Sequence, residues 1–171
     1  MRVNAGMTDL KHVVIYADGA CTGNPGPGGY GVVLKYGDHR RELSGGYRRT
    51  TNNRMELMGA IEGLSALKEK CQVTLLSDSE YLVKAMAQGW AQRWRANGWK
   101  RNKREKAINP DLWGNLLKLC EYHDVEFKWV RGHAGDSENV RCDQLAVQAA
   151  HEANLPVDEG YEPNARKGSD V

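Results

Sequence analysis

No run in this 171-residue chain comes near the roughly 18 consecutive apolar residues that a membrane helix needs, so no transmembrane helix is expected. The opening Met1-Arg2-Val3-Asn4-Ala5-Gly6 has no apolar stretch and does not read as a secretory leader. Cysteine is sparse: Cys21, Cys71, Cys120 and Cys142 lie far apart, with no Cys-x-x-Cys pair. Neither a disulfide framework nor a zinc knuckle is expected, and free thiols in the reducing cytoplasm are. An excess of one charge is missing too, since 24 basic residues against 22 acidic ones leave +2. That excludes a supercharged tail protein but not a local basic patch. Internal repeats are absent. What remains is an ordinary globular composition in a length that suits one domain with a real core.

His12–Ala17 is a continuous, β-branched apolar run, as expected of a strand covered on both faces. It should stop at the turn pair Asp18-Gly19, and a glycine-rich turn should reach Gly28-Gly29. Tyr30–Tyr36 and Arg40–Tyr47, separated by Gly37-Asp38, read as further strands of an antiparallel meander. From Arg54 to Lys70, Leu57, Ile61, Leu64 and Leu67 recur at helical spacing. Val73–Ser77 is another short buried strand, followed by a helix over Ser79–Gln88. Asn109-Pro110-Asp111 opens a helix with a cap residue, proline at the first position and an acid in the first turn. Val125–Val130 alternates like an edge strand. Cys142, Leu145, Ala146 and Ala149 form the stripe of a last helix. From about Asn154 the chain is polar and should pack loosely. The order β-β-β-α-β-α-α-β-α implies a mixed sheet carrying helices.

Four carboxylates stand at suggestive places. Asp18 and Asp78 each end a buried strand, where ligand sites of open α/β sheets gather, and they converge if those strands are parallel neighbours. Glu56 lies near the start of the helix after the meander, and Asp143 borders the stripe of the last one. Four converging carboxylates require a cation, and an all-oxygen set selects Mg²⁺ or Mn²⁺ over zinc. Each also has an ordinary use: Asp18 in a turn, Asp78-Ser79 as a helix cap, Asn53 with Glu56 as a capping box, Asp143 as a solvated helix acid. Composition alone leaves the choice open. Between Trp90 and Trp113 lie four of the five tryptophans. Trp90, Trp94 and Trp99 interleave with Arg93, Arg95, Lys100, Arg101, Lys103, Arg104 and Lys106. Such a mixture suits a nucleic-acid backbone; the alternative is a solvated basic face with its indoles tucked into the core. His133, between Gly132 and Gly135, titrates near neutrality and could shuttle a proton.

The run Asp18-Gly19-Ala20-Cys21-Thr22-Gly23-Asn24-Pro25-Gly26-Pro27-Gly28-Gly29-Tyr30-Gly31 resembles the opening motif of type 1 ribonuclease H. The resemblance continues through Thr50-Thr51-Asn52-Asn53-Arg54-Met55-Glu56-Leu57, Ser77-Asp78-Ser79, Gly132-His133-Ala134-Gly135, Glu138-Asn139 and Cys142-Asp143. It holds in order from about Lys11 to about Ala150, and the tryptophan-rich basic segment matches the protrusion of the bacterial form.

This resemblance implies a five-stranded mixed sheet, three antiparallel strands then two parallel ones, flanked by helices. It implies an endonuclease that cuts the RNA strand of RNA–DNA hybrids, leaving 5′-phosphate and 3′-hydroxyl ends. Asp18, Glu56, Asp78 and Asp143 fall on the catalytic acids of the family, and His133 on its mobile histidine. Two Mg²⁺ ions, with Mn²⁺ as a substitute, would activate water and stabilise the leaving 3′ oxygen. Arg49, Thr51 and Asn109 match a pocket for a DNA-strand phosphate. Cys21, Asn24, Asn52 and Asn53 match positions along the RNA strand, where 2′-hydroxyl contacts tell RNA from DNA. The expected organisation is an extension over 1–10, a catalytic domain over 11–153 and a loose tail over 154–171, in a cytoplasmic monomer.

Two departures stand out. Glu80 replaces a glutamine common in the family at a substrate contact, and Met1–Gly6 precede the usual start, with Met7 able to initiate. A non-catalytic binding module on the same fold would be expected to lose an acid. A transposase or integrase core would lack Asn24 and the Thr50–Asn53 segment.

Overall fold

A computed structural model describes residues 10–131 and 137–163. The strands are β1 (Lys11–Cys21), β2 (Gly26–Tyr36), β3 (His39–Thr50), β4 (Cys71–Ser77) and β5 (Asp124–Trp129). The helices are α1 (Asn52–Ser65), α2 (Glu80–Ala87), α3 (Trp90–Ala96), α4 (Pro110–Tyr122) and α5 (Ser137–Ala150). The sheet runs β3-β2-β1-β4-β5, antiparallel across β1–β2 and β2–β3, parallel across β1–β4 and β4–β5. This is the mixed sheet expected, with β5 at the edge.

Alternation along the strands makes three layers. Val13, Ile15, Ala17, Val32 and Leu34 face one way and pack with Leu57, Leu64, Leu75, Trp113 and Leu116 into the main core. Tyr16 and Val33 point the other way, against Cys142 and Leu145 of α5. The glycines of β2 permit that second layer. A Cβ on Gly29 would stand 2.4 Å from the Ala146 carbonyl oxygen, and one on Gly31 would stand 2.2 Å from that of Cys142. A strand without side chains there lets the α5 backbone lie directly on it.

Several boundaries differ from expectation. β1 does not stop at Asp18-Gly19; the ladder continues, with Asp18 opposite Gly31 and Cys21 opposite Gly28, so this pair is strand rather than turn. Gly26–Gly29, expected within the turn, belongs to β2 for the same reason. α1 ends at Ser65, with the Ala66 N–H bonded back to the Glu62 carbonyl, and charged Lys68–Lys70 fall beyond it. Asn109 opens α4 without capping it: it sits in the left-handed region at φ 62° and makes no side-chain cap bond. The short helix α3 is an element the sequence pattern did not separate. Trp113 is buried, Trp94 meets it edge-on with ring centres 5.7 Å apart, and Tyr81 lies 5.8 Å from it.

The segment after α5, expected to be loose, is tied down as far as Glu162. The Arg48 N–H donates to the Pro156 carbonyl at 2.9 Å, the Arg48 guanidinium pairs with Glu162, and Asp158 is 3% exposed. Its polar composition suggested solvent; the reason Asp158 is buried is a partner, Arg54, far away in sequence. Among the described residues, no helix is long and apolar enough to cross a membrane.

Candidate active site

The parallel pairing of β1 with β4 sets Ala17 beside Ser77, so the chains emerge together at Asp18 and Asp78. Glu56 arrives from α1 because Gly19 lets that helix press on β1: a Cβ there would stand 2.5 Å from the Glu56 nitrogen. The result is that Asp18, Glu56 and Asp78 each offer a carboxylate oxygen within 4.8 Å of the others. Asp18 and Glu56 are buried and Asp78 is half-buried.

None of the ordinary uses absorbs these side chains. Thr51, not Asn53, caps α1, its hydroxyl accepting from the Arg54 N–H at 3.2 Å, which leaves Glu56 out of any capping box. Ser79, not Asp78, caps α2 by accepting from the Leu82 N–H at 3.2 Å. Asp18 Oδ1 accepts from its neighbour, the Gly19 N–H, at 2.8 Å. Glu56 Oε2 is buried with no hydrogen-bond partner among the described residues. A buried orphan oxygen of this kind is costly unless something else meets it.

The electrostatics agree. Burial, and then the charge of Asp78, push Asp18 up to about 8, with the Asp143 carboxylate on α5 adding to the effect and the Gly19 N–H opposing it. Burial, followed by the charges of Asp18 and Asp78, holds Glu56 well above the usual carboxylate range. Such a group ionises fully only beside a cation, and an all-oxygen donor set from three elements fits a hard divalent ion. Asp143 is half-buried and close enough to act on Asp18, but it stands outside the tight trio. His133 lies outside the described residues.

Beside Glu56, a cavity of about 190 Å³ is lined by Asn53, Glu56, Ser79, Tyr81, Arg101 and Asn109. Asn24 is exposed, and its Oδ1 accepts from the Asn52 N–H at 3.1 Å, tying the β1–β2 turn to the start of α1. The Cys21 thiol lies against the Gly26 and Thr50 carbonyls, and burial raises its pKa. Arg49 is exposed and Thr51 half-buried. Glu80 is exposed and pairs with Lys84 at 3.1 Å, one helical turn on. Lys100, Arg101, Lys103 and Arg104 are all exposed, with Arg101 paired to Glu105. Trp90, Trp94 and Trp99 are half-buried and pack against the core, so the indoles anchor this segment while its cations face solvent. A larger groove of about 470 Å³, bordered by Lys11, Leu34, Arg41 and Lys68, lies at the other end of the sheet and contains none of the acids.

Sequence reasoning missed the surroundings of Arg54. This side chain is 2% exposed and meets Asp111, Asp158 and Asn109. Burial disfavours its charge, but its hydrogen bonds to Asp111 and Asp158 outweigh that and raise its pKa, while Arg54 draws Asp111 below the usual carboxylate range. Asp111 had an adequate local reading as a first-turn acid, and Asp158 sat in a polar tail, so no local pattern pointed to either. Trp129 was also missed; its indole N–H donates to the Asp78 carbonyl at 3.1 Å.

The sequence profile of the family described as RNase H matches residues 10–151. A ribonuclease H of Syntrophus aciditrophicus (strain SB) is 69% identical over 151 residues, covering 88% of this chain and 87% of that protein. One from Trichodesmium erythraeum (strain IMS101) is 61% identical over 157 residues, covering 91% of this chain and 100% of that protein. Among solved structures, LC9-RNase H1, a type 1 RNase H with the type 2 active-site motif, superposes with TM-score 0.73 at 36% identity over 94% of this chain and 84% of that one. LC11-RNase H1 in complex with an RNA/DNA hybrid gives TM-score 0.63 at 25% identity over 81% of this chain and 96% of that one.

Proposed function

Because the chain belongs to the ribonuclease H family, nucleases that hydrolyse RNA in RNA–DNA hybrids, we propose that Asp18, Glu56, Asp78 and Asp143 carry that reaction here by holding two Mg²⁺ ions, with Mn²⁺ as a substitute. The observation behind this reading is the convergence of three carboxylates from three elements, one with a buried oxygen that nothing in the described fold satisfies. When bound, the cations supply an activated water and stabilise the leaving 3′ oxygen.

The protein's own groups do the rest. The main chain of β1, β4 and α1 fixes the three inner acids in advance of binding, so their mutual repulsion is set by the fold and relieved by the ligand. Asp143 adds charge from α5, where its half-exposure allows adjustment. His133 takes up or delivers a proton. Cys21, Asn24, Asn52 and Asn53 follow the RNA strand, and the bond joining Asn24 to Asn52 supports their acting as one surface. Arg49, Thr51 and Asn109 receive a DNA-strand phosphate. Lys100, Arg101, Lys103 and Arg104 grip the backbone further out, on a segment stiffened by its packed tryptophans. The RNA–DNA hybrid is then the partner, met by a cytoplasmic monomer; four free thiols favour a reducing compartment.

Cleavage of hybrid, duplex RNA and duplex DNA is to be compared in Mg²⁺. Only the hybrid should be cut. Asp78→Asn keeps the shape but removes a charge, and should lower the rate by several orders of magnitude while hybrid binding and Tm barely move. Near-normal turnover by this variant would overturn the assignment.

A further inference from the structure

The guanidinium of Arg54 has five N–H donors, and the structure places all of them. Nε donates to Asp158 Oδ2 at 2.8 Å, and Nη2 donates to Asp158 Oδ1 at 3.0 Å and to Asp111 Oδ2 at 2.8 Å. Nη1 donates to Asp111 Oδ1 at 3.0 Å and to Asn109 Oδ1 at 3.1 Å. Arginine has no acceptor, so the amide of Asn109 can meet it only with its oxygen. The amino group of Asn109 must therefore point away from the interior. The backbone of Arg54 acts on Thr51: its N–H donates to Thr51 Oγ1 at 3.2 Å, which occupies the hydroxyl as an acceptor and leaves its proton to donate outward.

Arg54 thus engages both residues as acceptors, Asn109 through its guanidinium and Thr51 through its backbone N–H. Its own charge is not available, because it faces two carboxylates, one of which also accepts from the Thr50 hydroxyl at 2.7 Å. Whatever Arg54 contributes outward is hydrogen-bond direction, not attraction. The segment after α5 holds the arrangement shut. Asp158 supplies two of the five acceptors, and a Cβ on Gly160 would stand 2.1 Å from Asp111 Oδ2 and 2.3 Å from Arg54 Nη2, so only glycine lets the chain pass over that pair.

We propose that Arg54 is a positioning residue that sets the polarity of the Thr51–Asn109 pair, turning both to present donors to a phosphate, with the Asp158–Gly160 segment as its clamp. The inference rests on the reading of Arg49, Thr51 and Asn109 as a phosphate pocket. It explains why Asn109 stands at a left-handed helix start without capping the helix: its side chain is already committed to Arg54. A residue needed only for that backbone conformation could as well be glycine.

The experiment separates the two layers of the claim. Asn109→Gly keeps the backbone conformation and removes the amide, so KM for hybrid should rise about tenfold, the effect of one hydrogen bond to a charged acceptor, with the loss on KM rather than kcat. An unchanged KM in Asn109→Gly overturns the phosphate reading itself. Arg54→Lys keeps the buried charge but cannot serve Asp158, Asp111 and Asn109 at once. It should raise KM to a similar extent, leave the log–log salt slope unchanged because no cation is lost, and add nothing further when combined with Asn109→Gly. If Asn109→Gly raises KM while Arg54→Lys does not, or if the two effects add, the positioning role is overturned and the pocket stands. Should Arg54→Lys fail to fold, the wild-type protein supplies the answer by NMR. Titration with inorganic phosphate should move the Asn109 side-chain amide resonances and leave the Arg54 Nε resonance in place; a larger shift at Arg54 means it meets the anion itself and refutes the proposal.

Discussion

Among the described residues, two clusters are each built around a buried aspartate, and they follow opposite principles. Asp18 and Asp158 are equally hidden, each 3% exposed. Asp158 faces an arginine of the same chain and closes a network in which every guanidinium donor is placed. Asp18 faces two further carboxylates, and burial together with their charge pushes it up to about 8. The first group is complete within the fold and rigidifies it; the second is incomplete and keeps its binding energy for a cation from outside. Burial of a carboxylate therefore says nothing about its role until the sign of its nearest neighbour is known.

The largest stability effect should come from breaking the completed group. Asp158→Ala leaves Arg54 buried with fewer acceptors than donors, and should lower unfolding free energy by about 3–5 kcal/mol in urea titration. A loss below about 1 kcal/mol would mean that Asp111 alone satisfies the guanidinium.

The incomplete group should respond with the opposite sign. In the folded, metal-free protein Asp18 keeps its proton up to about 8, whereas the unfolded chain releases it near 3.9. The stability this group contributes is thus fully present below about pH 4 and is lost as pH rises through about 8. Asp18→Asn should flatten that dependence, and at pH 8 without divalent cations it should melt above the wild type. Adding Mg²⁺ should raise the wild-type Tm more at pH 8 than at pH 5, and should do so much less in Asp18→Asn. Parallel melting curves for the two proteins across this range would contradict the electrostatic picture.

Glu80 lies between these extremes, an exposed acid with one partner, Lys84. Glu80→Gln should cost only about 0.3–1 kcal/mol, as expected of an acid at a helix start. The Mg²⁺ concentration for half-maximal cleavage should change less than about twofold. A larger change would place its charge in the acidic site despite the ion pair.

What could be read along the chain followed local rules. The apolar, β-branched runs over His12–Ala17 and Val73–Ser77 marked strands, and Asp18 and Asp78 at their ends marked a place where a parallel pair would bring acids together. The helical stripe Leu57–Leu64 and the proline after Asn109 marked helices. These signals need only a few neighbouring residues, because backbone geometry repeats within one turn or one pleat. The same rules misread Asp18-Gly19 as a turn, since a strand continues wherever a partner ladder is offered, here by glycines of β2.

The type of residue at each acidic position was determined by the sequence alone, and so was the need of such a group for a cation. Which carboxylates would actually meet, and which acids would instead be paired, was decided only by the tertiary structure. Arg54 and Asp158 are 104 residues apart, and nothing in either local segment carries information about the other. A carboxylate's charge acts through space over a few ångströms in a medium of low dielectric, so its role follows from what folding brings beside it.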